Sequence, residues 1–142
     1  MDRKALKEKL KNLSHAQNFK GELKVSMDDN RINYPADSIK PPDSTFLIFY
    51  FGKRESSGAL ENGIGFLIRR TDTQKEITFP GNGGSTVVLI DNDEYYSPKN
   101  GTLTVNYDEG QNLAWGSFNI VMETDSNTIE LKDGIFSIHE IK

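Results

Sequence analysis

Cysteine is absent from the 142 residues, which excludes disulfide staples, thiolate metal sites and cysteine nucleophiles together. The absence suits a reducing compartment. Histidine occurs twice, as His15 and His139, and neither stands in a motif; both read as surface or satisfied groups rather than general bases. Long apolar runs are missing as well. The longest, Phe46 to Phe51, is far short of the roughly 20 residues that cross a bilayer as a helix. The basic start Met1-Asp-Arg-Lys-Ala-Leu-Lys-Glu-Lys9 has no apolar segment after it, so it does not read as a secretory signal, and with this start taken as native the expected location is cytoplasmic. There is no G-x-S-x-G elbow. Pro80-Gly-Asn-Gly-Gly84 lacks the lysine and the following helix of a phosphate cradle and reads as a flexible turn. Asp91-Asn-Asp-Glu94 begins like a calcium loop, but Tyr95 and Tyr96 stand where a glycine and a further ligand belong, so a solvated acidic loop is expected there. Asp28-Asp29-Asn30 is a still weaker start of the same kind. No metal and no cofactor are therefore expected.

Charge of one sign is scarce over most of the chain. Residues 1–24 hold seven Lys or Arg against three Asp or Glu, net +4, which leaves ten against eighteen, net −8, for the rest. Nucleic acid is excluded as an expected ligand of this acidic body, because phosphate binding needs a basic patch. A basic protein partner or a small ligand is the expectation instead.

What is present is the makings of a β-domain. Eight Phe, five Tyr and 35% hydrophobic residues favour strands around a packed core, and the length suits one domain spanning 1–142. Asp2 to Leu13 reads as the one helix, capped by Asp2, with Leu6, Leu10 and Leu13 on one face. It is expected to pack on a β-domain covering 18–141. Residues 18–27 alternate as a first strand, with Phe19, Leu23, Val25 and Met27 on one parity. The stretch from Asp28 to Ser44, with Pro35, Pro41 and Pro42, reads as a long loop with room for a short edge strand. Thr45 to Phe51 is apolar on both parities and is expected to be covered on both faces. Residues 64–68 and 75–79 read as a hairpin, and 85–90 as a further strand. The loop holding Asp91 to Pro98 then leads into a four-stranded meander from Gly101 to Ile141. Within it, Gly116 and Ser117 break the alternation like a β-bulge, and Asp133-Gly134 is the strongest short hairpin signal. About nine antiparallel strands and one N-terminal helix predict an antiparallel β-sandwich or a flattened β-barrel.

Gly101-Thr-Leu-Thr-Val105, Gly116-Ser-Phe118 and Asp133-Gly-Ile-Phe136 resemble the C-terminal pattern of small uncharacterised bacterial β-rich proteins, in which a G-x-F strand is followed by a D-G-x-F hairpin. The resemblance covers about a quarter of the chain. It implies an antiparallel fold, no known activity and no catalytic residue. Those proteins often carry an export or lipoprotein signal, which does not appear here.

Three readings of function follow. The first is a non-enzymatic binding or interaction module, whose candidate contact residues are Glu61, Asp91, Asp93, Tyr95 and Tyr96. Carboxylates and aromatic anchors on loops are the two halves of an interaction hot spot, and the two tyrosines are expected to leave at least one ring exposed. Trp115 and Tyr107 share parity with Val105 and Leu113 and are expected in the core. The second reading is a carrier of small apolar ligands, a calycin-like barrel closed at one end by the helix. The third is a hydrolase with an unidentified carboxylate pair among the twenty-one acids, none of which the sequence singles out.

Overall fold

A computed structural model describes residues 8–10, 19–40, 45–55, 57, 60–81 and 84–141. Nine strands follow one another: β1 (Phe19–Met27), β2 (Asn30–Lys40), β3 (Phe46–Arg54), β4 (Leu60–Arg69), β5 (Glu76–Phe79), β6 (Thr86–Asp91), β7 (Glu94–Asp108), β8 (Leu113–Glu123) and β9 (Thr128–Glu140). A single 3-10 turn, Arg70–Asp72, lies between β4 and β5. The ladder runs β7-β6-β4-β3-β2-β1-β9-β8, and the β7–β8 pairing closes it into an eight-stranded antiparallel barrel. β5 is an extra strand on the edge of β7. Closure decides between the two predicted architectures in favour of the barrel, and it removes the edges that an open sheet leaves unpaired.

The interior is made by alternation. Leu23, Val25, Phe49, Phe51, Phe66, Leu89, Val105, Phe118, Phe136 and Ile138 belong to one buried cluster with side chains from every strand of the barrel. Five phenylalanine rings form its centre. Phe49 stacks on Phe66 at 4.7 Å between centroids, and Phe136 lies 5.0 Å from Phe66 and 5.5 Å from Phe49. Phe51 and Phe118 meet the others at 5.8–6.2 Å in edge-on or tilted contacts, the arrangements aromatic quadrupoles favour.

A second cluster lies on the outside. Ile48, Tyr50, Leu67, Val88 and Ile90 take the opposite parity on β3, β4 and β6 and are buried with Leu10, which explains why β3 is apolar on both faces. Residues 8–10 are helical. Leu10 fills a space that only glycine leaves open, since a Cβ at Gly65 would come within 2.2 Å of its Cδ1. Leu10 therefore seats residues 8–10 against the side wall of the barrel. Asp2, Leu6, Leu13 and the rest of the expected helix lie outside the described residues.

Polar groups fix that contact. Arg54 and Asp37 form a buried pair at 2.9 Å, with side chains 5% and 11% exposed, and the Arg54 guanidinium also donates to the Leu10 carbonyl at 3.0 Å. Ser38 Oγ donates to Asp37 at 2.8 Å, while the Arg54 guanidinium carbon stands 5.7 Å from the centre of the Tyr50 ring. Tyr50 donates to the Glu61 carbonyl. Burial, and next the Asp37 carboxylate, hold its hydroxyl far above the ordinary tyrosine range.

Several sequence expectations are corrected. The long loop from Asp28 is β2, because Asp28 and Asp29 both adopt positive φ (47° and 72°) and make a two-residue turn whose twist suits a hairpin. Pro35 is the last residue of β2 paired with β1, and Ala36 is the first paired with β3. A proline, having no N–H, is tolerated at such a change of partner. The expected hairpin of 64–68 with 75–79 does not form, since β4 pairs with β3 and β6, and β5 crosses to β7.

In the meander, 128–131 and 135–138 are one strand. Asp133, at φ 53°, is the extra residue of a bulge rather than a turn, and its N–H donates to Asn119 Oδ1 at 2.9 Å. The bulge read at Gly116-Ser117 is absent, and Ala114, Phe118, Ile120 and Met122 all point inward in continuous register. Trp115 is consequently on the outside, 41% exposed, while Tyr107 packs partly against the core as expected. Gly116 faces Phe136 and Gly134 faces Phe118 across the ladder. A Cβ at Gly134 would lie 2.4 Å from the Phe118 ring, and one at Gly116 would lie 2.8 Å from Phe136, so each glycine makes room for the ring opposite.

Candidate functional site

Four hairpin tips ring one end of the barrel: residues 28–29, the β3–β4 connection, residues 92–93 and residues 124–127. All five expected contact residues belong to this end. Asn92 and Asp93 have φ of 50° and 67°, a second two-residue turn, and the pair flanking it is Asp91 with Glu94. Tyr95 and Tyr96 are therefore in strand β7, which corrects the loop expected there. Strand alternation separates their roles. Tyr96 is 5% exposed and belongs to the interior cluster, whereas Tyr95 is half-buried against the outer cluster under the helix. Neither ring is an exposed anchor. Glu61 and Asp93 are exposed and Asp91 is half-buried.

Cross-links between tips make the end a continuous rim. Asn92 N–H donates to Asn62 Oδ1 at 3.0 Å, joining the 92–93 turn to the start of β4. Asn127 Nδ2 donates to Glu94 Oε2 at 3.3 Å, joining it to the β8–β9 turn. Thr124 Oγ1 accepts from the N–H groups of Ser126 and Asn127 and shapes that turn. Asp28 bonds Glu130 twice, through its N–H to the carbonyl at 3.0 Å and through Oδ1 to the N–H at 2.9 Å. Short polar side chains that bond nearby backbone are what such turns need.

The rim is strongly acidic. Residues 27–31, 53–61, 91–94 and 123–127 carry Asp28, Asp29, Glu55, Glu61, Asp91, Asp93, Glu94, Glu123 and Asp125, against Arg31, Lys53 and Arg54. Arg54 is engaged with Asp37 beneath the helix. Below the rim two tyrosines register its negative field. Burial, and then the charge of Asp91, push the Tyr34 hydroxyl up to about 12. Burial, followed by the charges of Glu94 and Asp91, also raises the Tyr96 hydroxyl.

Sequence reasoning passed over Tyr34, Asn62 and Asn127. Asn62 and Asn127 carried a local signal, in the Glu61-Asn62-Gly63 and Asp125-Ser126-Asn127 stretches, while Tyr34 stood in the stretch read as a loop. His139 is half-buried on β9 opposite Leu113. His15 lies outside the described residues. No group of three or more His, Cys, Asp or Glu side chains among the described residues is arranged to hold a metal ion, and no described helix is long and apolar enough to cross a membrane. Compared with protein-family models, curated proteins and solved structures, the chain matches none.

Proposed function

We propose that the protein is a non-enzymatic interaction module that receives a basic protein partner on its acidic rim. The observation that carries this reading is the gathering of nine carboxylates onto four cross-linked hairpin tips with three cations among them. Such a surface steers a cationic partner and repels nucleic acid, and its effect weakens with salt. The hydrogen bonds between tips hold the carboxylates in place before binding, which lowers the cost of ordering them. Glu61, Asp91 and Asp93 make the contacts, Tyr95 and Tyr96 support them from beneath, and a cytoplasmic setting suits a cysteine-free chain.

The carrier reading has the architecture in its favour, because an eight-stranded up-and-down barrel is the calycin form. Five rings at 4.7–6.2 Å centroid spacing occupy the lumen such a carrier would need. The Gly116/Phe136 and Gly134/Phe118 pairing accounts for the glycines of the G-x-F and D-G-x-F segments by packing alone. The resemblance to bacterial β-rich proteins adds no activity.

A labelled sample titrated with deca-lysine tests the rim. Amide shifts should concentrate at residues 28–29, 61–62, 91–94 and 124–127 and shrink steeply as salt is raised, and the variant Glu61→Lys with Asp93→Lys should lose them. Shifts spread evenly over the barrel, or unchanged in the variant, would remove the rim as the interaction surface.

A further inference from the structure

The barrel wall has a fork away from the rim. β6 begins at Thr86, yet its ladder with β7 covers only Leu89–Tyr96, Ile90–Tyr95 and Asp91–Glu94. On the same edge of β7, the ladder with β5 starts at Phe79–Gly101. Ser97 to Asn100 have no strand partner on that edge among the described residues. Pro98 lacks the N–H with which the β6 ladder would continue, and the β7–β8 register shifts between Pro98 and Asn100. The two strands diverge there and leave a cleft of about 500 Å³.

The walls of the cleft differ. Phe79 is 4% exposed and part of the core, so the apolar side of the cleft is presented by Pro80 and Pro98. Opposite stands the Arg69 guanidinium, laid against the backbone of Gly84, where a Cβ would come 3.2 Å from Nε. Gly84 has φ +88°, which glycine adopts without strain. One carboxylate, Asp72, reaches the cleft wall through Ser85. Asp72 accepts from Ser85 Oγ at 2.6 Å, and Ser85 Oγ accepts from the Arg69 N–H at 2.8 Å. Glu109 pairs with Arg70 at 3.0 Å. Among the described residues no carboxylate forms an ion pair with Arg69.

We propose that this fork binds a small amphipathic carboxylic acid, its carboxylate on the Arg69 guanidinium and its apolar body on Pro80 and Pro98. A planar guanidinium presents two parallel donors that match a carboxylate, and an apolar wall with a few convergent polar groups is the usual make-up of a small-ligand site. The size of the cleft suits a short acid. The net charge of −4 on the whole chain disfavours polyanions at long range, so a single negative charge beside an apolar chain is the complementary ligand. The site is independent of the acidic rim.

Hexanoate is the probe, titrated into the full-length labelled protein and followed by amide shifts. Saturable shifts at Gly81, Gly84, Ser85 and Thr86 are expected at millimolar concentrations, with affinity lower by about tenfold or more for the neutral hexanamide and for Arg69→Gln with hexanoate. Arg69→Lys, which keeps the charge and loses the fork, should fall between. Inorganic phosphate should bind more weakly than hexanoate, since it has no apolar body. Absence of saturable shifts at these amides, equal binding of hexanamide, equal binding by a folded Arg69→Gln, or phosphate binding as tight as hexanoate would each overturn the assignment.

Discussion

Asp28, Asp29, Asn92 and Asp93 decide more of this fold than any hydrophobic residue does. Each adopts positive φ, and together they turn two polar stretches into tight hairpins where composition suggests loops. The signal was present in the sequence, since Asp and Asn tolerate this backbone region, but Asn-Gly or Asp-Gly is the stronger sign of it. The one Asp-Gly of that kind, Asp133-Gly134, makes a bulge because Asn119 and the Phe118 ring occupy the space across the ladder. A two-residue window cannot show what stands opposite. Tyr34 gives the residue scale a measurable consequence. Its hydroxyl titrates at about 12 in the fold against about 10 in an unfolded chain, so the folded state holds the proton more tightly. The resulting stabilisation is complete below about pH 10 and is lost as the pH rises toward 12. Urea midpoints measured across that interval should fall less steeply for Tyr34→Phe than for the parent. Parallel declines would show that Tyr34 ionises alike in both states.

Elements were legible where a strand is its own evidence. β1, β3, β6 and β8 lie within a few residues of their predicted spans because alternation or two-sided apolarity marks them locally. β5 lies within a residue of its expected span, but its partner was not legible, and β2 was read as a loop: β2 changes from β1 to β3 at Pro35, and β5 pairs with β7 instead of β4. The same holds for the candidate site: Glu61, Asp91 and Asp93 were named from the sequence, while their gathering with the other rim carboxylates comes from separate hairpins meeting at one end. The helix was read as packing on the β-domain, and Leu10 does so, but its polar clamp was invisible because Asp37 lies in the supposed loop. That clamp predicts an asymmetry. Asp37→Ala removes the buried carboxylate that faces the Arg54 charge and should cost about 3–5 kcal/mol, a large part of a typical total of about 5–15 kcal/mol. Asp37→Leu combined with Arg54→Met should recover most of it, both read from denaturant melts. A single substitution as mild as the double one would mean that water reaches the pair.

For the whole molecule, acidity and β-content were evident in composition, but the choice between sandwich and barrel was not. That choice rests on whether β1 meets β9, a contact that joins distant parts of the chain. Closure also brings Phe19 opposite Glu140, so the first and last strands are neighbours like any other two. Where a chain starts is then a matter of inheritance, not of architecture. A permuted protein with Lys142 joined to Met1 and new termini between Asn92 and Asp93 should give a cooperative melt and a dispersed amide spectrum, since ends at exposed turns are well tolerated. Collapse of that variant would show that the 92–93 hairpin must form early. If it folds, the β1–β9 pairing becomes a contact between consecutive strands, and the long-range closure passes to the three residue pairs of the β6–β7 ladder, so the refolding rate should report which of the two ladders closes the ring. A ring of strands can be cut and read from another point, and this one offers its turns as the places to cut.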